Sequence, residues 1–330
     1  MQRILVIQTA FIGDVVLATS LLESLHQHFP KVKLDMLVRG GNEGLLKNHP
    51  YLNKVWVWNK KQEKYRNLFR LIKAIRSEHF DLVVNVQRYW STGLLTALSG
   101  SKQTVGFNKN PLSFLFTHEI EHRFDASHEI NRNHQLIDEW VGTDVAKPAL
   151  YPSEADFEKV KVLKSGPYVC MAPSSVWFTK QWPKQKWVDL INLIPDTFQV
   201  FLLGAPSDQQ LCEEIQHKSK HAQVQNLSGQ LSFLESAALM KHATMNYVND
   251  SAPMHFASAM DAPVTAIYCS TIPSFGYGPL SRHKHIIEVE EKLLCRPCGL
   301  HGKKACPKSH FHCAEKIEAQ RVLATSIPTA

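Results

Sequence analysis

The chain reads as an α/β protein of two domains, each built on a mostly parallel sheet. Short apolar strand-like runs alternate with helix-like segments in both halves, as βαβ units do. A length of 330 residues with 44% hydrophobic content is enough for two cores of ordinary size. Ser165-Gly166-Pro167 punctuates the middle, so a boundary is expected between residues 1–165 and 166–330.

In the first half, residues 3–8 (RILVIQ) read as a buried strand. Residues 15–29 follow as a helix whose core face is Val15, Ala18, Leu21, Leu22, Leu25 and Phe29. Strands over 33–38 and 55–58, a helix over 61–78, a strand over 81–86 and a helix after Ser91 continue the series, with 104–107 as a short further strand. From Asn108 to about Pro152 the periodicity fades apart from a helical 130–141, which reads as a substrate-facing insertion or a polar surface. In the second half, strands at 168–172, 198–203, 245–248 and 263–268 alternate with helices at 187–194, from Ser207, and at 232–241. Residues 314–324 have helical character and are expected to pack on either half.

Composition narrows the class. Lys and Arg exceed Asp and Glu by 37 to 30, a net charge of +7 that suits anionic partners without choosing among them. Lys60-Lys61 reads as solvated surface. No segment reaches the roughly 18–20 apolar residues of a membrane span, and Gly13-Asp14 interrupts the N-terminal apolar run before it can serve as a signal peptide. A cytoplasmic location is expected. Cys170, Cys212 and Cys269 lie in or beside apolar runs and read as reduced core residues.

Neither G-x-G-x-x-G after a strand nor G-x-x-x-x-G-K-[ST] occurs, which argues against a simple dehydrogenase or P-loop ATPase. The polar residues gather instead at strand ends, where open α/β sheets bind ligands. After the first strand comes Asp14, either a cap of the following helix or a carboxylate at a reaction site. Gln87 and Arg88 follow the strand at 81–86, where Arg88 suits a phosphate or carboxylate, or is an exposed loop charge. After 168–172 come Ser174, Ser175, Thr179 and Lys180, hydroxyls and an ammonium suited to a diphosphate, or else a solvated loop. After 245–248, Asp250 precedes Ser251, a plausible N-cap, with Pro253 in the first turn and His255 one turn in. Backbone N–H groups at such a terminus suit phosphate, whereas Asp250 would repel it and so suits sugar hydroxyls.

Cys295, Cys298, Cys306 and Cys313 fall within nineteen positions, interspersed with His301, His310 and His312. C-x-x-C is a usual half of a zinc site, although the later spacings are not those of a zinc ribbon. A structural zinc, disulfides, and reduced cysteines packing a tight loop all remain open.

Residues 8–14 (QTAFIGD), 174–183 (SSVWFTKQWP) and 249–255 (NDSAPMH), in this order, together with 226–232 (NLSGQLS) and the Cys/His segment, resemble the heptosyltransferases of glycosyltransferase family 9. The resemblance spans nearly the whole chain. It implies a GT-B architecture, two Rossmann-like domains facing across a cleft, the first binding acceptor and the second nucleotide-sugar. It also implies inverting transfer of heptose from ADP-heptose to the inner core of lipopolysaccharide at the inner face of the cytoplasmic membrane, with no catalytic metal and no nucleic acid partner. Asp14 matches the family's general base, Lys180 its donor-phosphate lysine, and Asp250, Ser251 and His255 its D-[ST]-G-x-x-H pattern. Thr9, Gly13 and Arg88 are then expected on the acceptor side, and Ser174, Ser175 and Thr179 on the donor side. Ala252 and Pro253 depart from the pattern, where glycine and a variable residue are common, so the backbone approach to diphosphate is expected to differ. A transferase for another nucleotide-sugar, or a non-catalytic nucleotide- or zinc-binding module, are the alternatives.

Overall fold

The computed structural model describes residues 1–325. They fall into two compact units, Met1–Tyr151 and the chain from Pro152 onward. In the first, β1 (Arg3–Ile7), β2 (Lys33–Arg39), β3 (Leu52–Trp58), β4 (Leu82–Asn85), β5 (Gln103–Phe107) and β6 (His118–Ile120) form one parallel sheet in the order β3-β2-β1-β4-β5-β6. Its helices are α1 (Ile12–His28), α2 (Lys64–Arg76), α3 (Trp90–Ala97), α4 (Glu129–His134) and α5 (Asp138–Val141). The central strand β1 has a partner on each side, Ile4 pairing with both Leu34 and Leu82, and its four residues Ile4 to Ile7 are fully buried. Burial on both faces is why it reads as a continuous apolar run.

A carboxylate inside β2 is tolerated because its oxygens are satisfied. Asp35 is buried and accepts from Arg3 Nη2 at 3.0 Å, Asn53 Nδ2 at 2.8 Å and Trp56 Nε1 at 2.9 Å. The core face predicted for α1 is buried at Val15, Ala18, Leu21, Leu22 and Leu25, while Phe29 follows the helix and is only partly covered. The residues of 130–141 form two short helices, not one. Some of their polar side chains face inward: Arg132 is buried with its Nη2 2.8 Å from Glu129, and the buried His134 ring bonds the Gly142 carbonyl at 2.9 Å, while Asn131 and Glu139 are exposed.

The second unit contains α6 (Glu154–Lys161), β7 (Tyr168–Ala172), α7 (Lys184–Leu193), β8 (Gln199–Leu202), α8 (Gln209–Lys218), β9 (Val224–Asn226), α9 (Phe233–Lys241), β10 (Met245–Asn249), α10 (Ala252–Ala259), β11 (Val264–Tyr268), β12 (Lys284–Glu288), α11 (His312–Glu315) and α12 (Ala319–Leu323). Its parallel sheet runs β12-β11-β10-β7-β8-β9. Counted from its own first strand, this is the 3-2-1-4-5-6 order of the first unit. In each sheet the strand order reverses beside the first strand, the point where doubly wound folds bind ligands.

The compact units divide before the Gly166-Pro167 break, because α6 packs with the second. Val160 is buried, Phe157 packs against the His242 ring with centroids 5.9 Å apart, and Lys159 pairs with Glu235 at 2.8 Å. The C-terminal segment also joins the second unit, where Ile317, Val322 and Leu323 share a core with Trp182 and Trp187. Trp182 Nε1 donates to the Ile317 carbonyl at 3.2 Å, which gives this buried indole its partner. Among the described residues, no helix is long and apolar enough to cross a membrane.

Candidate active site

In the first unit, β1 ends at Ile7 and the chain passes through Gln8 and Thr9 into α1. The helix begins at Ile12, earlier than the apolar pattern indicates, with Phe11 as its cap residue, so Asp14 is its third residue and not its N-cap. Its Oδ2 accepts the Phe11 N–H at 3.1 Å. Capping of the first turn therefore occupies one lone pair and leaves the rest of the carboxylate available. Burial pushes the Asp14 carboxyl up to about 6, and the charge of Glu129 adds to the rise against the opposing Phe11 bond and Arg39. Gly13, beside it, lies in the first turn of the helix.

Cations surround this strand end. Thr9 is buried, and its carbonyl and hydroxyl oxygens both accept from Lys60 Nζ at 3.0 Å. Lys60 is therefore no solvated surface residue, because the chain leaving β3 at Trp58 lays it over the end of β1. Burial lowers its ammonium to about 8, with Arg39 and Lys64 lowering it further. Across the switch point, the buried Gln87 donates through its side-chain amide to Gln8, joining the ends of β1 and β4. Arg88 is exposed, its guanidinium 5.6 Å from the centroid of the Tyr89 ring. Lys109 follows β5, and burial, with Arg88 next, lowers its ammonium. Arg39, Lys60, Arg88 and Lys109 thus stand at or just beyond four successive strand ends, a ring of cations around Asp14's end of the sheet.

In the second unit, the loop after β7 meets the loop after β10 at the equivalent switch point. Lys180 Nζ lies 2.7 Å from Asp250 Oδ2, which also accepts from Thr271 Oγ1 at 2.7 Å. The reading of Asp250 as a hydroxyl contact is thereby narrowed, since one of its oxygens already holds the lysine in place. Buried Asn249 ties the two loops together: its Nδ2 donates to the Pro173 carbonyl at 2.8 Å, and its Oδ1 accepts the Trp182 N–H at 3.0 Å. Ser174 donates to Asp208 at 2.8 Å, and the Ser175 carbonyl accepts from Gln181 Nε2 at 2.7 Å. Ser251 occupies the N-cap position of α10 but makes no side-chain cap bond; its hydroxyl lies 3.4 Å from the Asn249 carbonyl. Pro253 is in the first turn and His255 is buried along the helix.

Thr179 departs from expectation. It is buried, and its hydroxyl oxygen accepts from Ser270 Oγ at 2.9 Å and from the Lys303 N–H at 2.8 Å. That oxygen is spent on binding the Cys-rich segment to the loop after β7. The Thr179 N–H donates to the Lys303 carbonyl at 3.1 Å, the Cys298 N–H to the Ser270 carbonyl at 2.9 Å, and the Ser270 N–H to the Thr179 carbonyl at 3.2 Å. Gly302, with φ +79°, packs where a Cβ would come within 3.0 Å of Lys180 Cγ.

Cys295, Cys298, Cys306 and Cys313 line one cavity of about 350 Å³ together with His310. Cys295 Sγ is 3.7 Å from His310 Nε2, while Cys298 Sγ donates to the Cys295 carbonyl at 3.4 Å. Burial pushes the Cys313 thiol up to about 12 and raises Cys298, with neighbouring cysteines adding to both. Among the described residues, no three His, Cys, Asp or Glu side chains are arranged to hold a metal ion. Cys170, Cys212 and Cys269 are buried free cysteines, as expected.

The model of glycosyltransferase family 9 (heptosyltransferase) matches residues 68–306. The chain belongs to this family. It is 27% identical over 282 residues to lipopolysaccharide heptosyltransferase 3 of Escherichia coli K12, covering 78% of this chain and 80% of that one. Among solved structures, E. coli ADP-heptose lps heptosyltransferase II superposes with a TM-score of 0.82 at 22% identity, covering 98% and 97% of the two chains. E. coli heptosyltransferase WaaC with ADP-2-deoxy-2-fluoro heptose gives 0.75 at 17% identity, covering 98% and 99%. The two parallel sheets are those of the GT-B fold, and the family 9 chain is a glycosyltransferase that transfers heptose.

Within this family 9 chain, Thr9, Gly13 and Asp14 come together at one strand end, and Ser174, Lys180, Asp250 and Ser251 around the other switch point. Reading by motif passed over Lys60, Asn249 and Asp208. Asn249 opens the NDSAPMH segment, and an Asn at the last position of an apolar strand was a legible sign of a side chain bonding a neighbouring loop. Lys60 carried no such sign, because its partner is 51 residues away along the chain.

Proposed function

We propose that the chain transfers heptose from ADP-heptose to the inner core of lipopolysaccharide with inversion at the anomeric carbon. The first unit takes the acceptor and the second the nucleotide-sugar. The observation carrying this reading is Asp14: a half-buried carboxylate beyond the central strand, held at about 6, is a base at neutral pH and strong enough to take a proton from a bound hydroxyl. As the acceptor oxygen attacks the anomeric carbon, its proton passes to Asp14 and the bond to the ADP oxygen breaks, the electron pair leaving with ADP. Lys180, oriented by Asp250, offsets the charge gained by the diphosphate, aided by the N–H groups at the start of α10. Ser174, Ser175, Ser251 and His255 are proposed beside them, with Thr179 holding the loop from behind. Thr9, Gly13 and Arg88 are proposed to position the acceptor, with Arg39, Lys60 and Lys109 meeting its negative charges. The chain works in the cytoplasm and peripherally at the inner face of the membrane. No nucleic acid is involved, and the names of its relatives, lipopolysaccharide and ADP-heptose transferases, support donor and acceptor alike.

A panel of nucleotide-sugars with deacylated lipopolysaccharide core, read by ADP release and product mass, tests the reading. ADP-heptose is expected to turn over at least about 10²-fold faster than any competitor, because an analogue lacking a hydroxyl leaves buried polar groups of the site unpaired. Faster turnover of another donor sinks the heptose assignment. Tight binding without turnover on any pair sinks the transferase assignment.

The cysteine segment is proposed as structural, with a zinc ion on Cys295, Cys298, Cys306 and Cys313 and no part in catalysis. Their shared cavity supports this, and because the sulfurs are not gathered as ligands, an ion must draw them together and displace the thiol protons, which burial opposes at Cys298 and Cys313. Native mass spectrometry of the intact chain is expected to find one zinc, lost with Cys298→Ser. A fully active, metal-free chain ends the proposal.

A further inference from the structure

The helix α2 has a face that neither the fold nor the transfer chemistry uses. Its sequence, KYRNLFRLIKAIR, buries Leu68, Ile72 and Ile75 against the sheet. Tyr65 and Phe69, one turn apart, are left 53% and 59% exposed. Tyr65 stacks on Trp90, the first residue of α3, with ring centroids 6.0 Å apart, and Trp90 is 45% exposed. Tyr89 beside it is also exposed. Four aromatic rings thus form a strip from the outer side of α2 to the carboxyl end of β4.

Cations surround the strip. Residues 60–76 contain seven Lys and Arg and a single acid, Glu63, which is already paired with Arg66 at 2.7 Å. Lys64, Arg66, Arg70, Lys73 and Arg76 are all exposed. Aromatic rings with a polar tip, interleaved with long cationic stems and almost no acid, match the boundary between acyl chains and anionic headgroups. A water-facing helix has no use for the aromatics, and a protein-binding patch would be depleted in lysine. The strip also ends at Arg88, beside the strand end proposed for the acceptor.

We propose that this strip docks on a bilayer containing anionic phospholipid, so that the enzyme meets its acceptor at the membrane surface. Tyr65, Phe69 and Trp90 enter the headgroup boundary, and Arg66, Lys73 and Arg76 contact lipid phosphates. This rests on the reading of the acceptor as a lipid-linked saccharide, and its test is independent of turnover.

The full chain is floated with phosphatidylcholine vesicles and with vesicles containing phosphatidylglycerol, without acceptor. Binding to the anionic vesicles is expected to be at least about tenfold stronger and to fall with salt. The Tyr65→Ser/Phe69→Ser pair, and separately Arg66→Glu/Lys73→Glu, are expected to weaken it by about tenfold, while Val162→Ser, an exposed apolar residue of the second unit, leaves it unchanged. With deacylated core in solution the aromatic pair is expected to retain its turnover, and with acceptor embedded in vesicles to lose most of it. Equal binding to neutral and anionic vesicles, binding unaffected by the aromatic pair, or a change in oligomeric state by light scattering in place of a change in lipid binding would each overturn the assignment. If no donor turns over, vesicle binding still decides the surface, and only the transferase reading falls.

Discussion

Asp14→Asn is expected to lower turnover by about 10³-fold, within the range seen when a positioned general base is removed, while the chain stays folded. The amide oxygen of Asn can still accept the Phe11 N–H, so the first turn of α1 keeps its bond. Stability is expected to hold or rise. A carboxyl raised to about 6 disfavours its charged form, by at most about 2–3 kcal/mol if none of the rise is screened, and by about 1 kcal/mol at this half-buried position. That penalty is present above about pH 6 and disappears as the pH falls toward the unfolded carboxylate value near 4. Near pH 7.5 the neutral amide avoids it. In the unaltered chain, the acceptor-dependent rate is expected to rise with pH through about 6, because the base must be ionised. A melting curve beside a pH-rate profile separates the two roles of Asp14. Full activity in a folded Asp14→Asn chain ends its assignment as base, and a fall in melting temperature with activity intact leaves only the cap.

Lys180→Met is expected to lower kcat/KM for the donor by about 10²–10³-fold, as loss of one electrostatic contact to developing charge does. Part of the effect will reach the fold. Without the ammonium, Asp250 keeps Thr271 but loses a charged partner at 2.7 Å in a buried setting, which costs about 1–3 kcal/mol. Lys180→Arg keeps the charge and is expected to recover stability with only partial recovery of rate, because a planar fork does not reproduce a point charge. Calorimetry with ADP alone gives the cleanest reading. Undiminished ADP affinity in a folded Lys180→Met chain removes the lysine from the donor site.

The strands were legible because burial on both faces turns them into apolar runs, and Ile4 to Ile7 and Tyr168 to Ala172 stand out for that reason. β6, β9 and β12 were not, since His118–Ile120, Val224–Asn226 and Lys284–Glu288 lie at sheet edges and carry polar residues among few apolar ones. The start of α1 was misplaced because Asp14 serves the first turn from inside the helix, where a periodicity reading treats it as an interruption. Asp14, Lys180 and Asp250 were legible as residues at strand ends, and their ordered motifs tied them to one family. What each touches was not. The Lys180–Asp250 pair and the Lys60–Thr9 bonds join loops about 70 and 50 residues apart, and only the parallel crossovers bring those loops to one edge of a sheet.

The cysteine segment is fastened to the loop after β7 by backbone bonds at Thr179 and by the bare α-carbon of Gly302 against the Lys180 stem. That attachment makes the segment a lever. A side chain added at Gly302 would meet the Lys180 stem first, and the displacement would reach the ammonium that Asp250 holds.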